Sequence, residues 1–119
     1  MKKNLTLVIT SLITVVLSSI HLAHDVVRGS DQWNRGSLIG VAILIFGLFG
    51  TLVVPDRRSG VIIMLIGGLA AMAMPVIHAR INLNSVAVFF FIWTLFAMGA
   101  TGGVTVLLAI RALRQNART

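Results

Sequence analysis

The sequence predicts an all-α integral membrane protein, a four-helix transmembrane bundle with up-down-up-down topology (N-in/C-in) that forms one domain over residues 1–119. Three observations carry this. Hydrophobic residues make up 57% of the chain and Asp, Glu, Lys and Arg only 11%, with a mean hydropathy of +0.98, a composition that does not suit a soluble surface. Next, Gly36 to Pro55, Ser59 to Ala79 and Ile81 to Ile110 contain none of those four charged residues, and a further apolar run covers Asn4 to Ala23. A helix of about 20 such residues crosses roughly 30 Å of hydrocarbon. Finally, the basic residues flank these runs. With alternating spans, Lys2, Lys3, Arg57, Arg58, Arg111, Arg114 and Arg118 share one side, and Arg28, Arg35 and Arg80 the other. The positive-inside rule then puts both termini in the cytoplasm, in a multi-pass protein of the cell inner membrane.

The same distribution argues against nucleic acid as a partner, because phosphate-binding residues gather on one face and these do not. The expected spans are about 5–27, 36–54, 60–79 and 86–110, and the short connections leave no room for a soluble domain. With no cysteine, disulfides, thiolate ligands and a Cys nucleophile are excluded. The first span has the form of a signal peptide, but it is longer than a usual h-region and His21 occupies a position where cleavage needs a small side chain, so a retained helix is expected.

Span one is rich in hydroxyls. At about 100° per residue, Thr10, Thr14, Ser18, His21, His24, Asp25 and Arg28 share one face, which is expected to look inward, while Leu7, Val8, Leu12, Val15, Val16 and Ile20 suit lipid or neighbouring helices. Trp33, in the loop after it, suits the membrane interface. Span two carries Gly36 and Gly40 at a spacing that lets helices approach closely. The turn Pro55-Asp56-Arg57-Arg58-Ser59 is short enough to make spans two and three antiparallel neighbours. Span three is rich in Gly and Ala, and Pro75 predicts a kink or an opened last turn before His78. Span four opens with Phe89, Phe90, Phe91 and Trp93 near the outer interface, then has Gly99 and Gly103 spaced for tight packing. These small-residue faces are candidates for homo-oligomer contacts.

Spans one and three run in the same direction, so His21, His24, Asp25 and His78 are expected in one outer leaflet, where ionisable groups are expensive and usually hold a partner. Three imidazoles and a carboxylate suit a divalent transition metal, Zn²⁺ or Cu²⁺, with Asp25 either binding the ion or orienting a histidine. Arg28 and Arg80 would support the site. A second reading gives haem b axial ligands from His21 or His24 with His78, its propionates meeting Arg28 and Arg80. A quinone site needs only a titratable histidine beside Asp25. Two further readings are a small transporter or channel subunit that uses the hydroxyl face, and an accessory membrane protein whose histidines form a wet polar cap with no small-molecule site. Enzyme patterns are not met: the chain has no phosphate-binding Gly-rich loop followed by Lys, no Gly-x-Ser-x-Gly elbow, no pair of acids in one span and no glutamate.

Overall fold

The structure is a computed structural model that describes residues 4–28, 35–78 and 86–118. The side chains of Arg28, Arg35 and residues 86–90 lie outside the description. So do Lys2, Lys3, Trp33 and Arg80, on which parts of the charge, interface and site expectations rest. The fold is all helical: α1 is Leu5–Arg28, α2 Arg35–Leu48, α3 Arg58–Ile77 and α4 Val86–Asn116. Four segments, Leu5–Val27, Gly36–Val53, Arg58–Ile77 and Phe91–Asn116, are long and apolar enough to cross a membrane.

Contacts along the chain fix the relative directions of the helices. Leu7 of α1 joins Val61 and Met64 of α3 and Ala109 and Ala112 of α4 in one apolar cluster. Further along α1, Thr14 Oγ1 lies 3.2 Å from Thr105 Oγ1, and His21 meets Phe91 near the start of α4. On α2, Gly40 packs on Leu22 and Gly47 on Val15, while Ser11 Oγ lies 2.7 Å from Thr51 Oγ1 just beyond. Thus α1 and α3 run one way, and α2 and α4 the other.

The contacts follow a heptad rhythm. Phe91, Leu95, Met98, Gly102, Thr105, Ala109 and Ala112 recur at alternating intervals of four and three, and all are buried. In α3 the same rhythm runs through Val61, Met64, Gly68, Ala71, Pro75 and His78, and in α1 through Leu7, Ser11, Thr14, Ser18, His21 and Asp25. A 3.5-residue repeat keeps one narrow seam facing a partner along slightly inclined helices. Its apolar surroundings are inverted relative to a soluble bundle: Ile9, Ile13, Val16 and Ile20 of α1 are all exposed. Where lipid replaces water, close packing and interhelical hydrogen bonds hold helices together instead of the hydrophobic effect. Helices α3 and α4 approach backbone to backbone, since a Cβ on Gly102 would stand 2.8 Å from Gly68 O.

Several expectations need correction. Span two does not finish as α-helix: Phe49–Val53 is a π-helical turn, closed by Val54 N–H donating to Phe49 O at 3.3 Å. The wider turn buries Thr51, whose Oγ1 donates to Gly47 O at 2.8 Å, and Gly50 admits Ile63 so closely that any side chain there would collide with it. Of the kink or opened last turn expected at Pro75, the opened turn is not found. The helix passes through Pro75 to Ile77, and His78 N–H closes on Met74 O at 3.0 Å. Pro75 is accommodated because the facing residue is Gly99. Helix α4 runs on past the expected span end at Ile110 to Asn116, with exposed Arg111 and Arg114 on the extra turns.

The inward face of α1 is also rotated from the expected one. Its buried residues are Leu7, Ser11, Thr14, Val15 and His21, whereas Thr10 and His24 lie at the edge. Thr10 does not need the interior, because its Oγ1 donates locally to Thr6 O and Leu7 O at 3.0 and 3.1 Å. Ser11 does need it, since its partner is across the bundle on Thr51.

Candidate metal site

The seams of α1 and α3 end in His21, Asp25 and His78. Because these two helices are parallel, their final seam residues arrive at the same end of the fold. Among the described residues, one ligand atom from each of the three lies within 4.8 Å of the others. His21 Nε2 stands 3.5 Å and His78 Nε2 3.9 Å from the same oxygen, Asp25 Oδ2. His21 is 3% exposed, whereas Asp25 retains 40% of its side-chain exposure, so the site is closed on its imidazole side and reachable at its carboxylate.

Backbone chemistry orients one ligand. His78 Nδ1 lies 3.0 Å from Met74 O. A carbonyl can only accept, so Nδ1 carries a proton, and in the neutral ring Nε2 then keeps the lone pair that faces Asp25. That is the arrangement by which proteins commonly set the tautomer of a metal-binding histidine. His21 is different: neither ring nitrogen has a hydrogen-bond partner although both are buried.

Phe91 forms the remaining wall. Its ring centroid lies 4.7 Å from that of His21, 5.2 Å from His24 and 5.6 Å from His78. It restricts the rings and excludes water from one side of them. The sequence reading placed Phe91 among interfacial aromatics and missed this role, although its place in the four-and-three rhythm with Leu95, Met98 and Gly102 was a usable signal. Thr51 and Thr105 were missed too, because their partners are distant in sequence.

The sequence-predicted residues are therefore divided. His21, Asp25 and His78 come together. His24 is on the same turn, but its ring sits over Phe91 and it is outside the three-atom group; its buried Nδ1 has no hydrogen-bond partner. Arg28 contributes backbone to α1 with its side chain outside the description, and Arg80 is outside it altogether.

The donor set can be tested against an ion. Zinc–nitrogen and zinc–oxygen bonds near 2.1 Å make adjacent tetrahedral ligands about 3.4 Å apart. The 3.5 Å separation meets this, the 3.9 Å separation needs a side-chain shift of about half an ångström, and the remaining separation between the two imidazoles, up to 4.8 Å, needs the rings to close by up to about 1.4 Å. Two neutral imidazoles and one carboxylate favour zinc or copper over magnesium or calcium, which prefer all-oxygen surroundings. Three protein ligands leave a fourth position for water or another molecule. A haem has less room. The His21 and His78 rings meet edge to face with centroids 5.1 Å apart, and no slab lies between them for a macrocycle.

A cavity of about 330 Å³ adjoins the group, with His21, Asp25 and His78 in its lining. It follows α1 down through Ser18 and Thr14 to Ser11. At that depth the hydroxyls pair with one another, Ser11 with Thr51 and Thr14 with Thr105. Beyond them lies the Leu7, Val61, Met64, Ala109 and Ala112 cluster.

Fold and site together define a helical protein with four membrane-span-capable segments and a His/Asp group at the end of its internal seams. The chain matches no protein-family model, and no curated protein or solved structure is detectably similar to it.

Proposed function

We propose that this chain is a multi-pass membrane protein that binds a divalent transition metal, Zn²⁺ or Cu²⁺, through His21, Asp25 and His78. Its up-down bundle has both termini in the cytoplasm, which puts the site at the outer end of the membrane. The observation that carries the reading is the convergence of three ligand atoms within 4.8 Å, with His78 held by Met74 O in the tautomer that frees Nε2. The arrangement supports a binding role.

Elemental analysis of the purified protein, followed by chelation and zinc titration, tests this. The expected result is one ion per chain, with affinity lowered at least 10-fold by His78→Ala or by Asp25→Asn, in line with losses seen when even groups that only orient metal ligands are removed. Affinity should also fall on acidification, because a proton competes for each imidazole lone pair. Protein that neither retains nor takes up stoichiometric metal would overturn the reading.

A further inference from the structure

The cavity beside the His/Asp group is amphipathic by construction. One wall is the α1 series Ser11, Thr14, Ser18, His21 and Asp25, and the opposite walls are largely aliphatic side chains and glycine. From Ser11 to Asp25 the helix rises about 21 Å. The volume of about 330 Å³ is roughly twice that of an engineered apolar cavity of about 150 Å³ that takes up benzene. It therefore suits a fused two-ring molecule or a medium-length alkyl chain.

A second feature shows how such a molecule would arrive. A separate apolar groove of about 390 Å³ lies between α2 and α3. It shares Ile43, Gly47, Ile63 and Gly67 with the cavity. These four residues are the partition between the interior and the outer surface of the helix pair. The partition is thin, since a Cβ on Gly67 would meet nothing within 4 Å and one on Gly47 would meet only Val15. If the helices cross a bilayer, the outer groove faces hydrocarbon and not water.

The polar chemistry inside narrows the guest. His21 lines the cavity and is 3% exposed, and neither ring nitrogen has a hydrogen-bond partner among the described residues, although Nε2 stands 3.5 Å from Asp25 Oδ2. A neutral imidazole presents one donor and one acceptor, and the Asp25 carboxylate presents acceptors only. A hydroxyl satisfies both neighbours, as it can accept from the imidazole N–H and donate to Asp25. An anionic head would face Asp25, and a charged head of either sign would have to pass between Ile43 and Ile63 in hydrocarbon, which is expensive.

We propose that the cavity binds a small uncharged amphiphile bearing a hydroxyl group, which enters from the bilayer between α2 and α3 past Gly47 and Gly67 and sets its hydroxyl against His21 and Asp25. The shared chemistry is the hydroxyl; the guest is a lipophilic phenol or an aliphatic alcohol. The inference uses residues of the proposed metal site but rests on the cavity, and it is tested without metal.

The experiment uses the full chain in phosphatidylcholine nanodiscs with chelator, titrated with 1-naphthol, 1-decanol, naphthalene, decane and 1-naphthoate. Saturable one-site binding of 1-naphthol or 1-decanol above lipid partitioning is expected, and whichever binds identifies the phenol or alcohol class. Naphthalene and 1-naphthoate should bind at least 10-fold more weakly than 1-naphthol if the phenol is the guest. His21→Leu should remove the preference of the bound hydroxyl compound over its hydroxyl-free counterpart, naphthalene for 1-naphthol or decane for 1-decanol. Gly67→Phe should slow association at least 10-fold, whereas Gly67→Ala should not. Absence of saturable binding by both hydroxyl compounds, or a hydroxyl preference unchanged in His21→Leu, overturns the proposal. So does an unchanged association rate in folded Gly67→Phe, and the His21→Leu comparison decides if that variant does not fold. Zinc titration of the same proteins separates the two readings, because Gly67→Phe should leave zinc affinity unchanged.

Discussion

Single side chains divide the interior of this fold into a polar part and a dry part. Ser11 and Thr51 are 40 positions apart and meet at 2.7 Å, while Thr105, fully buried, meets Thr14 and also donates to Thr101 O at 2.8 Å. Such bonds between membrane helices are individually modest, averaging about 0.6 kcal/mol and reaching about 1.7. Ser11→Ala and Thr51→Ala should each destabilise the protein by about that amount in reversible denaturant titration, with a double variant less destabilised than the sum. Strict additivity would show that the pair makes no energetic contact. At the other end of the seams, Phe91→Ala removes the ring shared by three histidines, and zinc affinity should drop roughly 10-fold, a size typical of groups that orient ligands. An unchanged affinity would mean that the imidazoles hold their positions without it.

At the scale of helices, the decisive quantity is how near two backbones can come. Gly68 and Gly102 each lack the Cβ that would strike the carbonyl of the other, at 2.9 and 2.8 Å. Gly102→Ala should therefore separate α3 from α4 and cost about 1–3 kcal/mol, the range for overpacked interiors. Gly67→Ala, one residue along from Gly68, has open space and should be close to neutral. Equal midpoints for the two variants in a denaturation series would refute this account of the α3–α4 contact. The spans were legible because an uninterrupted apolar run of sufficient length is a local property. The heptad seams were not read from the sequence, and polarity was a poor guide to the inward face of α1. Thr10 looked as inward as Thr14, and only the remote partners Thr51 and Thr105 distinguish a hydroxyl that pairs across the bundle from one that bonds its own helix. The π turn at Phe49–Val53 and the passage of α3 through Pro75 depend on the opposing Ile63 and Gly99, which no local pattern reveals.

For the molecule as a whole, direction along the sequence becomes geometry. Two parallel helices bring His21, Asp25 and His78 to one end, so the cluster was foreseeable from span parity, whereas the exclusion of His24 required the rotation of α1 about its axis. The proposed orientation is open to a clean test, because the chain has no cysteine to interfere. Ser59→Cys and Ala117→Cys should be shielded from an impermeant maleimide added outside intact cells, and Asn82→Cys should be labelled. The reverse pattern would invert the protein and move the site to the cytoplasmic side.

The thin attachment of α2 has a mechanical consequence. Within Arg35–Leu48 only Gly47 is buried among residues whose side chains are described, whereas α3 and α4 are locked backbone to backbone. Cooperative units in proteins open in order of their local stability. Under a pulling force, α1, α3 and α4 would therefore behave as one body, and Arg35–Leu48 would peel away only as far as the π turn, where Gly50 and Thr51 hold span two on Ile63 and Ser11.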